Sequence, residues 1–327
     1  MKKILIVGGG GYVGTELTQK LLKNNYVTVY DLFYFDWLIK NKNKVKNSKR
    51  LFSIKKDILE VNKNDLKNIE IVCDLAGIAN DPSSDLNKKY STKINYEARY
   101  RFAKIAKESG VKRYIFNSTC SIYGFNKKKV FEKSNINPLS CYAKAVQKAE
   151  KKIYLLKSKE FKVNILRNAT LYGFSNSMRF DLVINLFTYL LLKNKNIFID
   201  GDGKQSRPFL SVQDISRMYL HIIQTQPKSF IVNALSFSTN IYDLTNKIIK
   251  IIKKPKTLVK FNLEKKDHRN YNVGSKNFKK YFKNFKFTDL GKDIKKMIKN
   301  IKKLNLRPNI KTIRVKFYKK KLSRLKY

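Results

Sequence analysis

Apolar residues fall along the first half of the chain in two alternating patterns. Short, β-branched runs bounded by polar residues occupy Lys3–Val7, Val27–Asp31, Leu51–Ile54, Ile69–Leu75, Arg113–Asn117 and Val163–Arg167. Between them, Tyr12–Lys23, Tyr90–Ser109 and Tyr142–Lys157 carry apolar residues at helical spacing. Near-continuous apolar strands alternating with helices of ten or more residues predict a parallel sheet covered on both faces, because each crossover helix must pack back on the sheet. Gly110 stands where a helix C-cap glycine belongs, just before the strand at Arg113. The opening Met1–Val7 has the basic-then-apolar shape of a leader peptide. The glycine cluster that follows it predicts a buried first strand instead.

Beyond about residue 170 the alternation loosens. Phe180–Leu192, Val212–Ile223 and Ile241–Ile252 read as helices, Ile197–Ile199 as a short strand and Gly201-Asp202-Gly203 as a tight turn. Residues 307–327 form a basic tail with interspersed aromatics, among them Phe317 and Tyr318. Such a tail is either disordered or a surface-seeking helix or strand.

Gly8-Gly9-Gly10-Gly11-Tyr12-Val13-Gly14 joins the first strand to the first helix. Without a Cβ the backbone turns tightly and lets a diphosphate come close, while the opening helix presents its amides, those of Tyr12 and Val13 included. The run fits G-x-G-x-x-G from Gly9, Gly11 and Gly14, and equally G-x-x-G-x-x-G from Gly8, Gly11 and Gly14. Asp31 ends the second strand, at the distance expected of an acid that accepts from both adenosine ribose hydroxyls. Leu32-Phe33-Tyr34-Phe35-Asp36 offers no cation to hold a 2′-phosphate, which favours NAD over NADP. The competing reading of Asp31 is a turn or helix-capping residue. The fold class is therefore α/β, a Rossmann-type doubly wound parallel sheet. Its expected division is a cofactor-binding part over 1–170, a smaller substrate-binding region over 171–303 partly interleaved with it, and a basic tail over 304–327.

Composition adds one oddity. The chain of 327 residues carries 71 Lys and Arg against 24 acids, a formal charge of +47. Such a surface attracts polyanions, including nucleic acid, anionic membrane and diphosphate compounds. The lysines are spread along the whole chain and no nucleic-acid motif accompanies them, so biased composition is preferred to dedicated nucleic-acid binding. A weak association of the basic tail with an anionic membrane surface stays open. No apolar run approaches the roughly 20 residues a bilayer requires. The three cysteines, Cys73, Cys120 and Cys141, show no metal-ligand spacing and fit a reducing, cytoplasmic setting; no metal is expected.

Further motifs resemble those of the extended short-chain dehydrogenase/reductases, specifically the NAD-dependent epimerase/dehydratase family. Beside Gly8, Gly11 and Gly14 they are Asp57-Ile58, Leu75-Ala76-Gly77, Asn95, and Ser118-Thr119-Cys120-Ser121-Ile122-Tyr123-Gly124. The segments Arg167–Gly173 and Gly201–Phe209 follow, the latter with Pro208 where Asp is common, and then Arg269 with Lys276. The resemblance implies NAD as cofactor, held by Gly8, Gly11, Tyr12, Val13, Gly14, Asp31, Asp57, Ile58, Leu75, Ala76, Gly77, Asn95, Ser118 and Tyr142. It implies Thr119 and Tyr142 as catalytic residues, the phenol passing a proton to or from a sugar carbinol while hydride moves. It implies a nucleotide-sugar substrate met by Thr119, Asn80, Thr170 and Arg179, with Arg207 and Arg269 clamping its diphosphate. Residues 80–82 and 179–181 read equally as a turn and a helix start. A homodimer through the two long helices, Tyr90–Ser109 and Tyr142–Lys157, is implied as well.

The sequence departs from that family in two places. Its Tyr-x-x-x-Lys motif reads Tyr142-Ala143-Lys144-Ala145-Val146, so a valine replaces the lysine that normally holds the nicotinamide ribose and lowers the tyrosine pKa. Lys144 lies roughly 200° around the helix from Tyr142, and Lys148 is also off that face. Glu150 keeps the usual register. The chain is thus either an enzyme with reduced or rerouted proton transfer, or a catalytically impaired protein that binds NAD and sugar nucleotide. Second, Cys120 and Ser121 stand where sugar dehydratases carry acids. That argues against dehydration and for epimerisation or simple oxidation/reduction at a sugar carbon. Cys120 and Cys141 flank the two catalytic candidates, and their thiols either face each other near the pocket or are inert.

Overall fold

A computed structural model of the protein describes residues 1–35, 41–265 and 269–323. The elements run β1 (Lys3–Val7), α1 (Tyr12–Leu21), β2 (Tyr26–Asp31), β3 (Leu51–Lys55), β4 (Ile71–Asp74), α2 (Asp81–Ser84), α3 (Lys88–Thr92), α4 (Arg99–Glu108), β5 (Arg113–Thr119) and α5 (Cys141–Leu155). They continue through β6 (Lys162–Asn168), β7 (Thr170–Tyr172), α6 (Val183–Leu192), β8 (Ile197–Asp200), β9 (Ser206–Ser211) and α7 (Val212–Thr225). The last are β10 (Phe230–Ala234), β11 (Phe237–Asn240), α8 (Ile241–Ile252), β12 (Val259–Asn262), α9 (Phe278–Tyr281), α10 (Leu290–Lys303) and α11 (Arg314–Leu322).

Seven strands form one sheet in the order β10-β6-β5-β4-β1-β2-β3, every neighbour parallel. The reversal of order between β1 and β4 opens a crevice at the strands' carboxyl ends, where ligands settle in open α/β sheets. Ile4, Ile6, Val27 and Val29 face one apolar cluster, together with α1 and α7. Leu5, Val7, Val72 and Phe116 face the other, together with α4 and α5. This two-sided burial explains why the strands lack a polar face. A smaller three-stranded sheet, β11-β9-β7, and the pair β12-β8 surround a third cluster beneath α6 and α8.

Several elements differ from the sequence expectation. β10, a short apolar run between a helix and a bend, had no strand expected of it; it returns from the second half of the chain to pair with β6. The helix expected over Tyr90–Ser109 is composite, with a π-helical stretch at Lys93–Ala98 between α3 and α4. The helix expected from Phe180 begins at Val183, because Asp181 is drawn into an ion pair with Arg179 and the Phe180 amide is taken by the Thr312 carbonyl at 2.9 Å. The basic tail is neither loose nor confined to the surface: α11 lies over the sheet's crevice, and Arg314 is buried. Residues 324–327, and Asp36 beyond Asp31, lie outside the described residues. Among the described residues no helix is long and apolar enough to cross a membrane.

Candidate active site

The glycine loop is built for close approach. Gly8 has φ +78°, and a Cβ there would lie 2.8 Å from the Ala76 nitrogen. At Gly14 a Cβ would come within 2.4 Å of the Gly9 Cα. Gly11, the N-cap of α1, contributes no capping side chain, so the helix presents backbone amides to whatever occupies the crevice. A cleft open to solvent is lined by Gly8, Gly11, Asp31, Asp57, Ile58, Leu75, Ala76 and Gly77. The Asp31 carboxylate accepts from the Gly10 amide at 3.0 Å and the Phe33 amide at 2.7 Å, which fixes it at the cleft rim. Asp57 caps its own turn by accepting from the Leu59 amide at 2.9 Å, which orients Ile58 into the cleft. Lys56 also reaches the cleft, where Asp65 holds it at 2.8 Å. A cradle that side chains would fill, an uncapped helix start, a ribose-facing acid and an apolar slot together fit a dinucleotide.

Some residues expected at the cofactor lie behind this wall. The Asn95 side chain is fully buried; its Oδ1 accepts from the Ile78 amide at 2.9 Å and its Nδ2 donates to the Ile78 carbonyl. It fixes the Gly77 turn and does not line the cleft. The Tyr12 hydroxyl donates to the Gly173 carbonyl at 2.6 Å, leaving its backbone as the part available to a ligand. Ser118 donates to Glu150 at 2.5 Å, and Glu150 pairs with Arg167 at 2.6 Å. This buried network ties β5, α5 and β6 together, so the Ser118 hydroxyl is directed away from the cleft.

Thr119 ends β5 and Tyr142 opens α5, brought to one edge by Ser140, which caps α5 through the Ala143 amide at 3.1 Å. Burial pushes the Tyr142 phenol above its ordinary range; Arg99, Arg179 and the Thr119 side chain pull it back, while Asp81 adds to the rise. Arg99 is the cation the sequence reading missed. It is buried on α4, pairs with Asp74 at 2.9 Å, donates to the Asn117 carbonyl at 2.9 Å and stacks over Phe116. No local signal could have singled it out, because Asp74 lies far from it in sequence. Val146 is fully buried in the apolar cluster against which Tyr142 packs, whereas Lys144 and Lys148 are exposed.

The substrate candidates gather on the other side of Tyr142. Arg179 grips Asp181 with two bonds of 3.0 and 2.9 Å. Burial would raise the Asp181 carboxyl, but Arg179 outweighs it and holds it below its usual value. Asn80, at φ +108°, donates to Asp181 at 2.9 Å and caps α2. Asp81 accepts from Ser140 and is ion-paired with Arg269. Arg207 donates to the Arg269 carbonyl at 2.6 Å and lies over Tyr271, so the two arginines expected to clamp a diphosphate are neighbours. Thr170 lies in β7, paired with Phe209. Lys276 stands apart, over the Phe131 ring. The two cysteine thiols do not face each other: Cys120 donates to the Arg167 carbonyl, and Cys141 to the Lys88 carbonyl on the opposite side of α5. Burial pushes the Cys120 thiol far up, leaving it unreactive.

The sequence profile of the NAD-dependent epimerase/dehydratase family matches residues 4–234. The chain is 30% identical over 221 residues to the uncharacterized UDP-glucose epimerase YtcB of Bacillus subtilis, covering 65% of this chain and 69% of that protein. It is 31% identical over 225 residues to a putative UDP-glucose 4-epimerase of Methanocaldococcus jannaschii, covering 66% and 72%. Its fold is similar to that of the Bacillus cereus UDP-glucuronic acid 4-epimerase solved with UDP-glucuronic acid and NAD, with a TM-score of 0.80 at 24% identity over 92% of this chain and 99% of that one. The dinucleotide-shaped cradle and these likenesses agree, and the chain belongs to the NAD-dependent epimerase/dehydratase family.

Proposed function

We propose that the protein is a nucleotide-sugar epimerase or reductase that works by transient hydride transfer at a sugar carbon. The observation that carries this reading is that Thr119 ends β5 and Tyr142 lies in the first turn of α5, close enough for the threonine to lower the phenol's pKa, at the carboxyl edge of the sheet whose first strand carries the glycine loop. Bound NAD supplies the hydride acceptor and donor. Tyr142 takes the proton of a sugar hydroxyl at its phenol oxygen and returns it, and Thr119 hydrogen-bonds the same substrate oxygen. Arg207 and Arg269 hold the substrate's diphosphate, while Arg179 and Asn80, fixed through Asp181, bound the sugar pocket. The roles of Cys120 and Ser121 remain as read from sequence: neither is an acid, so dehydration is disfavoured.

Purified protein incubated with UDP-, dTDP-, GDP- and CDP-sugars and followed by NMR tests this reading. Interconversion at one sugar carbon is expected; NAD binding without turnover of any of them would refute it. One observation favours a second reading, a catalytically impaired NAD and sugar-nucleotide binder: Val146 is sealed in apolar packing, and burial dominates the Tyr142 phenol. We assign residues 1–170 to cofactor binding and 171–303 to the substrate. The return of β10 to the main sheet supports the interleaving of the two. The homodimer through α4 and α5, a cytoplasmic site of action and contact of the tail with anionic membranes belong to the same reading. The last would use the exposed Lys316, Lys319 and Lys320.

A further inference from the structure

The last helix has a position that basic composition does not explain. Tyr318, Lys321 and Leu322 of α11 line the same cleft as Gly8, Asp31 and Asp57. The helix is seated by aromatic contacts: Phe317 lies 4.7 Å from Phe35, and Lys321 sits 3.9 Å above the Tyr34 ring. Its approach is fixed by the Phe180–Thr312 backbone bond, and it reaches across to α2 on the substrate side.

At the head of this helix Arg314 is 5% exposed; its guanidinium lies 3.4 Å above the Phe35 ring and donates to the Ser177 carbonyl and hydroxyl. Ser177 in turn accepts nothing from α1 directly, but the adjoining Ser175 donates to the Tyr12 carbonyl at 2.7 Å, so Arg314 is only a few residues' contact away from the start of α1. Among the described residues no carboxylate lies within ion-pair distance of Arg314. Burial lowers its pKa to about 9, and Arg179 adds to the shift; Asp181, Tyr318 and Asp31 only partly offset it. A buried cation that feels Asp31 and the Arg179–Asp181 pair only at a distance has no direct ion-pair partner among the described residues. Ser177 and Ser175 tie Arg314 to the opening turn of α1, so a diphosphate seated on that turn would lie on its side of the cleft.

We propose that α11 is a strap that closes over the bound dinucleotide, Arg314 ion-pairing with its diphosphate and Tyr318 and Lys321 walling the adenosine end. This rests on the family's use of NAD but adds binding residues from a tail beyond the segment matched by the family profile. The strap explains why a polybasic segment carries Phe317 and Tyr318: they dock it, and its charge then serves an anionic ligand.

Calorimetric titration with NAD and with adenosine, on the full chain and its Arg314→Gln and Tyr318→Ala variants, tests the strap. Arg314→Gln should weaken NAD about 10- to 100-fold, the range for loss of a charge-assisted bond, and leave adenosine unchanged, since adenosine has no diphosphate. Tyr318→Ala should weaken both. A parallel arm uses the unaltered protein: saturating NAD should slow trypsin cleavage after Lys316, Lys319 and Lys320 at least tenfold. NAD affinity within twofold of the unaltered protein in both variants, or unchanged cleavage, would overturn the strap alone. Tighter NAD binding in the variants, or faster cleavage with NAD, would show a plug that the cofactor must displace and would overturn it too. Failure of the unaltered chain to bind NAD would overturn the cofactor assignment itself.

Discussion

Replacing Val146 by lysine measures how far the active site depends on the cation it lacks. Val146 follows Tyr142 by one helical turn on α5, which places their Cβ atoms about 6 Å apart. The valine is fully buried, and the Tyr142 phenol is pushed upward chiefly by burial. Arg99 opposes that shift, but Asp74 binds its guanidinium at 2.9 Å and offsets much of its charge. An ammonium about 6 Å from the phenol at an effective dielectric of about 20 favours the phenolate by about 2.8 kcal/mol, or about 2 pH units. Sugar oxidation needs the phenolate, so its rate rises with pH, and the limb of the pH–rate profile should move about 2 units toward acid in Val146→Lys. At neutral pH the rate should rise by up to about 100-fold. The ammonium enters an apolar cluster near Arg99, so the variant should lose about 2–4 kcal/mol of stability in urea unfolding. A folded, NAD-binding variant whose pH limb stays in place would refute this account of the valine.

Other substitutions probe the frame around that chemistry. Gly14→Ala drives a Cβ to 2.4 Å from the Gly9 Cα; it should cost about 1–3 kcal/mol and abolish NAD binding in calorimetry. Arg99→Met strands the buried Asp74 carboxylate and should cost about 3–5 kcal/mol. The double variant with Asp74→Asn should recover more than half of that loss in urea unfolding, and no recovery would mean the pair is not coupled. A dimer through α5 would bring Lys144, Lys148, Lys151 and Lys152, all exposed, against a second basic surface. Its association should therefore strengthen as salt rises from 0.05 to about 0.5 M in sedimentation or light scattering, as screening removes the repulsion; weakening would place the interface elsewhere.

The central strands of the first half were legible because each is an apolar run buried on both sheet faces; β3, at the sheet edge with Phe52, Ser53 and Lys55 exposed, was legible from its short apolar run between polar stretches. β10 was not, because Phe230–Ala234 is short, includes Asn233 and gains its strand identity only by pairing with β6, far upstream. The π-helical stretch at Lys93–Ala98 leaves no mark in the sequence, because it keeps the spacing of apolar residues nearly intact over so few residues. At the site, the glycines and Asp31 follow from local backbone demands, and Tyr142 from a familiar spacing. The positions of Arg99 and Arg314 do not, since each is defined by partners distant in sequence, Asp74 and Ser177. Ser118 and Asn95 were expected to touch the cofactor, yet their hydrogen bonds hold the wall from behind.

The late arrival of β10 has a consequence for biosynthesis. A nascent chain halted before residue 230 can assemble the glycine cradle and six strands, but leaves the amides and carbonyls of β6 along Asn164–Asn168 without their neighbour. Such a fragment presents an open, largely apolar parallel edge to other unfinished chains. During synthesis that edge therefore stays uncovered until a five-residue segment more than sixty residues downstream of the strand it protects has been delivered.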